Sequence, residues 1–286
     1  MEGAYYNGQY LNRLERLGYS QAEIDNKLES TFEEMFYGPE GVRLCHCAGP
    51  DMMYIEDTGN HDVRTEGMSY AMMFCVQMNR QKEFDCLWRW VVTHMYLTEG
   101  ENAGYFAWSC HTDGSKNSDG PAPDGEEFFA MSLFFAANRW GSGEGVLDYA
   151  SWARRILHAC VHKGEEAGSG FPMWNPENHL IKFIPNCEFT DPSYHLPHFY
   201  ELFALWSDEC DRPFWHAAAA ASRQYLRKAC HARTGLSAEY AEYDGRPHRG
   251  DQPDRHDWFF SDAYRTLGNI ALDAQWFGDK DGWAQE

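Results

Sequence analysis

The chain has 286 residues, with 24 lysines and arginines against 44 aspartates and glutamates, and therefore a formal net charge of −20. This excess of acid argues against a nucleic-acid-binding protein, because phosphate recognition requires basic patches that displace counterions. It also disfavours attachment to an anionic lipid surface. No run approaches the roughly 20 consecutive apolar residues that a membrane-spanning helix requires.

The cysteine and aromatic contents bear on the compartment and the ligand class. Nine cysteines without a repeated spacing do not suggest a disulfide framework, and the N-terminus shows no secretory signal, so we expect a cytoplasmic protein. Aromatic residues make up 16% of the chain. Because rings stack on sugar faces and carboxylates catalyse glycoside chemistry, this composition is compatible with carbohydrate processing, although an aromatic-rich core is the simpler explanation.

Apolar periodicity predicts helices along almost the whole chain. Ser20 and Glu23 form a capping box at the start of a helix over Gln21–Tyr37, whose apolar residues lie in one stripe. Another helix is expected to begin near Thr65. The remaining predicted helices cover residues 81–96, 128–140, 146–162, 194–207, 212–230 and 257–277.

These helices predict a single all-α domain over residues 1–286. The segment 128–140 is apolar nearly all round, which is typical of an inner helix, whereas the stripe of Gln21–Tyr37 is typical of an outer one. Strand signals are few. A toroid of helix hairpins fits this pattern, and the long loops at residues 98–125 and 234–255 are of the kind that carries function.

Glu66 stands at the start of a predicted helix, before an apolar, methionine-rich face. Free N–H groups and the helix dipole favour an acidic residue there without any catalytic role. Burial would raise the pKa of this glutamate above its ordinary value near 4.3, as a general acid requires. The residues alone leave both interpretations open.

Two aspartates are ambiguous in the same way. Asp124 and Glu127 have capping-box spacing, so an N-cap role explains Asp124 as well as a functional role does. Asp262 lies among aromatic residues inside a helix that we expect Asp257 to cap, and a carboxylate there is costly unless it is paired. Arg265, at i+3, is the natural partner, either in a structural ion pair or in a functional site.

Two other segments carry weaker signals. Cys45-His46-Cys47 offers two thiols and an imidazole, but the spacing is too short for a four-ligand zinc site and no second cysteine pair completes it. We therefore expect no metal and no cofactor. The segment at residues 194–200, Tyr-His-Leu-Pro-His-Phe-Tyr, could donate hydrogen bonds to a ligand or form a mixed buried cluster.

Together these segments resemble glycoside hydrolase family 8, most closely its reducing-end xylose-releasing exo-oligoxylanases, from about residue 3 to residue 277. The most specific stretches are residues 57–70, 119–127 and 191–200. Within the family signature at residues 122–140 the chain keeps Ala122, Asp124, Gly125, Ala130, Ser132, Leu133, Ala136 and Trp140. It departs at Pro123, Glu126 and Phe129, and these departures are similar to the oligoxylanase subgroup.

The resemblance implies an (α/α)6 barrel that hydrolyses xylo-oligosaccharides with inversion at the anomeric carbon. Glu66 would be the general acid and Asp262 the general base, with Asp124 as a third carboxylate that holds the distorted sugar in the −1 subsite. Arg265 would keep Asp262 ionised, since a nearby cation lowers the pKa of a carboxyl group.

The resemblance also implies two aromatic sugar contacts. Trp108 matches the stacking platform of the minus subsites, and Tyr194 matches a hydrogen-bonding tyrosine beside the reacting sugar. No nucleic-acid or membrane partner is expected, and the sequence does not indicate an oligomeric state.

The chain predicts about eight helices, whereas an (α/α)6 barrel has six helix pairs. We therefore expect a barrel that is incomplete at its C-terminus, beyond which the loop that confines cleavage to the reducing end would lie. Two alternatives follow. One is an endo-acting β-1,4-xylanase or glucanase of the same family, and the other is an inactive remnant that binds sugar.

Overall fold

The computed structural model describes residues 2–165, 170–250 and 255–285. Its α-helices are α1 (Ala4–Asn7), α2 (Arg13–Arg16), α3 (Gln21–Tyr37), α4 (Thr65–Gln77), α5 (Gln81–Trp90), α6 (Pro123–Trp140), α7 (Tyr149–His162), α8 (Pro197–Trp206), α9 (Arg212–Ala229) and α10 (Arg265–Phe277). A π-helical segment, Val91–Met95, continues α5, and 3-10 turns lie at Gly145–Leu147, Pro192–Tyr194, Ser261–Tyr264 and Trp283–Gln285. Within these ranges no helix combines the length and the apolar character needed to cross a bilayer.

Most predicted helices are confirmed to within a few residues. Helix α3 agrees at both ends, because the Ser20 hydroxyl accepts the N–H of Glu23 while the Glu23 carboxylate accepts the N–H of Ser20 at 2.8 Å. Helix α6 begins at Pro123 rather than at residue 128, since its first turn is acidic yet buried. An apolar pattern cannot detect such a turn.

The predicted start of the last helix at Asp257 is wrong. The Asp257 carboxylate accepts Arg255 Nε and Nη2 at 2.8 and 3.0 Å, and residues 256–259 form turns and bends rather than the start of a helix. Ser261 adopts a positive φ of 41°, which interrupts the right-handed helical path. Asp262 consequently lies in the 3-10 turn Ser261–Tyr264 that precedes α10, not in a helix interior.

Four short strands form two antiparallel pairs among the described residues. Strand β1 (Cys45–Cys47) pairs with β2 (Met53–Ile55), and β3 (Asp62–Arg64) pairs with β4 (Ser109–His111). Strand β3 lies directly before α4, and the N–H of Thr65, the first residue of α4, donates to the carbonyl of Trp108, which directly precedes β4, at 3.0 Å. This ladder fixes the start of α4 beside the loop that carries Trp108.

The longer helices form two layers. Helices α4, α6, α8 and α10 contact one another in that order, while α5, α7 and α9 pack against α4, α6 and α8 respectively. Helices α4, α6 and α8 are each followed by an outer helix that brings the chain back, so that the four inner helices run in the same direction. Their N-terminal ends therefore meet at one end of the molecule.

The core lies along the bodies of the inner helices. Phe129 and Leu133 of α6, Met72 of α4 and Phe203 of α8 are fully buried in one continuous cluster. Burying side chains of this size is worth about 1.5–3 kcal/mol each in hydrophobic free energy. The prediction that 128–140 is an inner helix is confirmed.

Candidate active site

The predicted catalytic residues come together where the inner helices begin. Glu66 lies in the first turn of α4 and Asp124 in the first turn of α6. Tyr194 ends the 3-10 turn before α8, and Asp262 lies in the 3-10 turn before α10. Residues that are up to about two hundred positions apart in the chain thus share one end of the helix bundle.

Arg265, the first residue of α10, joins these elements. Its Nη1 donates to Asp124 Oδ2 at 2.8 Å and to the Tyr70 hydroxyl at 2.5 Å, and its Nη2 lies 2.7 Å from Asp262 Oδ2. The guanidinium carbon lies 5.6 Å from the ring centroid of Tyr194. The predicted Asp262–Arg265 pair is confirmed, but the sequence did not indicate that Arg265 also binds Asp124 and Tyr70.

Glu66 has the protonation behaviour that a general acid needs. Burial raises the pKa of its carboxyl group to about 7, and the negative charges of Asp124 and Asp262 act in the same direction, whereas Arg265 opposes them. The Thr65 hydroxyl donates to Glu66 Oε2 at 3.2 Å. Glu66 therefore keeps its proton in a large fraction of molecules at neutral pH, where an ordinary glutamate is ionised.

Asp262 is in a different environment. Its side chain is 39% exposed, so water reaches the carboxylate, while Arg265 supplies a positive charge on one side. The strained φ of Ser261 directly before it sets the direction of the turn. The site therefore combines one desolvated carboxyl group with one carboxylate that is open to solvent.

Asp124 is not the N-cap that its spacing to Glu127 predicts. Ala122 occupies that position, and the Asp124 side chain, 2% exposed, binds Arg265 instead. Burial raises the pKa of Asp124, and Arg265 opposes this shift. The next residue, Gly125, allows α6 to approach α4 closely, because a Cβ atom there would lie 2.5 Å from the Cβ of Thr65.

Three buried acids beside the site were missed by sequence reasoning. Glu126 Oε1 accepts the N–H of Phe106 at 3.0 Å, and burial raises its pKa to about 8. Glu127 accepts the Tyr200 hydroxyl at 2.6 Å. Asp191 is buried, with its pKa raised to about 8 mainly by burial. The sequence shows only that these acidic residues cluster near helix starts. Exposed capping residues cluster in the same way, so the pattern does not reveal burial.

Trp108 lies next to the first turn of α4. The guanidinium carbon of Arg64 is 5.1 Å from its ring centroid, and the indole is partly exposed. A cavity of about 350 Å³ opens near the carboxylates. Its lining includes Tyr70, Asp124, Tyr264, Arg265 and Asn269. Of the predicted site residues, Asp124 and Arg265 line this cavity, whereas Glu66, Asp262, Trp108 and Tyr194 do not.

Three residues of the two weaker sequence signals, Cys45, His195 and His198, are buried in the fold. Cys45 is buried in β1, and burial raises the pKa of its thiol to about 12. His195 and His198 are buried, which lowers their pKa values to about 3, and His195 is hydrogen-bonded to Thr190 and Ser222. The interpretation of residues 194–200 as a mixed buried cluster is confirmed for these two histidines.

Comparisons with known proteins agree with the motifs. The family model described as glycosyl hydrolases family 8 matches residues 19–284. The chain is 56% identical to a reducing end xylose-releasing exo-oligoxylanase of Halalkalibacterium halodurans, over 100% of this chain and 73% of the relative. The solved structure of Rex8A from Paenibacillus barcinonensis complexed with xylose is 56% identical, with a TM-score of 0.96 over 99% of this chain and 74% of that chain.

A more distant relative is endoglucanase A of Acetivibrio thermocellus, which is 26% identical over 97% of this chain and 55% of its own length. The two helical layers agree with these comparisons. The chain belongs to glycoside hydrolase family 8 and has the (α/α)6-barrel fold.

Proposed function

We propose that the chain hydrolyses xylo-oligosaccharides with inversion and releases xylose from their reducing ends, with Glu66 as general acid and Asp262 as general base. The observation that carries this assignment is the contrast between the two side chains. The pKa of Glu66 is raised to about 7 by burial, whereas Asp262 is 39% exposed and ion-paired with Arg265. One group can supply a proton at neutral pH while the other can accept one from water.

The proton transfers balance in a single displacement. Glu66 gives its proton to the glycosidic oxygen as the bond from that oxygen to the anomeric carbon breaks. Asp262 accepts a proton from the water that attacks the same carbon on the opposite face. Inverting pairs keep about 6.5–9.5 Å between their carboxyl groups to hold this water, and the solvent exposure of Asp262 leaves room for it.

Asp124 supports the reacting sugar in this proposal. Its carboxylate is fixed by Arg265 Nη1 at 2.8 Å, and Arg265 in turn is fixed by the Tyr70 hydroxyl. A carboxylate held in this way needs no reorganisation when positive charge develops on the anomeric carbon. Trp108 supplies a ring face on which a sugar residue can stack, and Tyr194 supplies a hydroxyl group that can hydrogen-bond to the reacting sugar.

The relatives support the proposed substrate. Three proteins described as reducing-end xylose-releasing exo-oligoxylanases are 56–57% identical to the chain, whereas those described as endoglucanases are 26–28% identical. This difference favours reducing-end release over endo action.

The test uses xylotriose that carries ¹³C at the anomeric carbon of its reducing-end residue. We expect labelled xylose and unlabelled xylobiose, with the new xylobiose end appearing first as the α-anomer in the NMR spectrum. Labelled xylobiose would contradict reducing-end release, and a first-formed β-anomer would contradict inversion.

Long xylan and binding measurements separate the alternatives. An endo-acting enzyme would produce mixed internal fragments from xylan as fast as it cleaves xylotriose. An inactive sugar-binding chain would bind xylotriose in calorimetry and release no product. Either result would contradict the proposed activity and support the corresponding alternative.

A further inference from the structure

We propose that His158, His162 and Asp211 form a binding site for a divalent transition-metal ion of the Zn²⁺ class. One ligand atom from each of these three side chains lies within 4.8 Å of the other two. None of the three contacts Glu66, Asp124 or Asp262 among the interactions of the described residues. The site is therefore separate from the catalytic centre.

The helix periodicity places the two histidines together. His158 and His162 are at i and i+4 near the end of α7, so both rings lie on the same face, with ring centroids 4.5 Å apart. Asp211 immediately precedes α9 and faces both rings. Two imidazoles and one carboxylate are a donor set that suits zinc and its neighbours in the first transition row.

The distances are close to those of a bound ion. Asp211 Oδ2 lies 3.4 Å from His158 Nδ1, and Asp211 Oδ1 lies 2.7 Å from His162 Nε2. Bonds of about 2.0–2.1 Å in a tetrahedron place neighbouring ligand atoms roughly 3.4 Å apart. The two distances involve different oxygens of Asp211, so one oxygen faces each histidine. One ligand atom from each of the three side chains lies within 4.8 Å of the other two, close enough for small side-chain movements to bring them around one ion.

A further carboxylate orients one of the ligands. Glu165 Oε2 lies 2.9 Å from His162 Nδ1, so the other ring nitrogen of His162 points towards Asp211. Metal-binding histidines commonly donate their second N–H to a carboxylate in this way. His162 thus lies between two carboxylates, whose negative charges favour a metal ion bound between Nε2 of His162 and Asp211.

The three ligand side chains differ in their exposure to solvent. The Asp211 side chain is 2% exposed and is held in place, whereas that of His158 is 52% exposed. An ion can enter from the His158 side and complete its coordination with water. By joining the end of α7 to the start of α9, the ion would stabilise the folded chain in proportion to its concentration.

The test is calorimetric titration of the purified, metal-stripped and tag-free protein with ZnCl₂. We expect one zinc ion per chain, with a dissociation constant of about 10 µM or lower. His158→Gln should weaken binding at least about tenfold without affecting folding, because this side chain is half exposed. The control is His216→Gln on α9, whose side chain is 61% exposed and lies 3.6 Å from a different carboxylate, that of Glu201.

Thermal unfolding gives a second readout. Zinc at about 100 times its dissociation constant should raise the Tm of the wild type and of the His216→Gln variant by about 3 °C or more, and should leave that of His158→Gln unchanged. No heat of binding up to about 1 mM zinc would overturn the proposal. So would binding that survives both His158→Gln and Asp211→Asn, because the three groups would then be only an ion pair.

Discussion

The N-terminal ends of the inner helices differ sharply from the bodies of the same helices. In α6 the first turns contain Asp124, Glu126 and Glu127, all buried, whereas Phe129 and Leu133 continue the helix into a purely apolar cluster. The same tight packing therefore has two effects. Along the body it removes apolar surface from water, and at the end it removes carboxyl groups from water and raises their pKa values. The apolar contacts of the helix bodies stabilise the fold and thereby offset the cost of burying carboxyl groups at the helix ends.

The largest effect on activity is expected from a substitution at the helix ends that removes one of the two proposed proton-transfer groups. Glu66→Gln and Asp262→Asn should each lower kcat for xylotriose by at least about 10³-fold, since neither amide can donate or accept the required proton. Circular dichroism and Tm should remain close to those of the wild type. More than about a tenth of the wild-type rate in either variant would remove that residue from the mechanism.

A substitution in the body of an inner helix should instead lower stability and leave activity nearly unchanged. Phe129→Ala removes a fully buried ring from between Trp88 and Phe106, and we expect a loss of about 3–5 kcal/mol in the free energy of unfolding. Activity per folded molecule at low temperature should change little. A variant that is stable but inactive would mean that Phe129 positions the active site rather than stabilising the core.

The pH dependence tests the environment of Glu66. Because Glu66 must be protonated to act and its pKa is raised to about 7, kcat/KM should fall about tenfold per pH unit above pH 7. Asp124→Asn removes a negative charge that raises this pKa, so the fall in its residual activity should begin at lower pH. An unchanged midpoint in the variant would argue that Asp124 does not influence Glu66.

The smallest expected effect concerns a buried acid beside the site. Burial raises the pKa of Glu126 to about 8, so the folded state binds this proton more tightly than the unfolded state does. The resulting stability is present below about pH 4.5 and is lost as the pH rises through about 8. Glu126→Gln should therefore raise the Tm by a few degrees at pH 8.5 and leave it nearly unchanged at pH 4.5.

Thermal denaturation at these two pH values checks the Glu126 prediction. The exposed Glu144→Gln is the matched control and should change neither Tm. Equal shifts at both pH values would show that Glu126→Gln acts through packing rather than through ionisation.

Local signals explain what the sequence could predict. Helix α3 has a capping box and an apolar stripe within its own residues, and both its ends are as predicted. Glu66 was indicated by its place at a helix start and Asp262 by its place among aromatic residues, while their proposed roles came from the family resemblance. Arg265, the partner of Asp262, was indicated by its i+3 spacing.

Contacts between distant parts of the chain explain what it could not predict. The burial of Glu126 depends on the backbone of Phe106, and the partner of Asp124 is on the last inner helix. The start of α10 depends on the positive φ of Ser261, which is not a residue type that favours this conformation. An acidic helix start has the same local pattern whether tertiary packing buries it or not.

Arg265 has a consequence for the charge state of the proposed reaction. The proposed reaction uses Glu66 as an acid and Asp124 and Asp262 as carboxylates, so with the guanidinium of Arg265 the four groups would carry one excess negative charge. A neutral sugar does not compensate this charge, but an oxocarbenium-like transition state does. The fixed charges of the empty site are therefore complementary to the transition state rather than to the substrate, which is the condition under which binding energy accelerates a reaction.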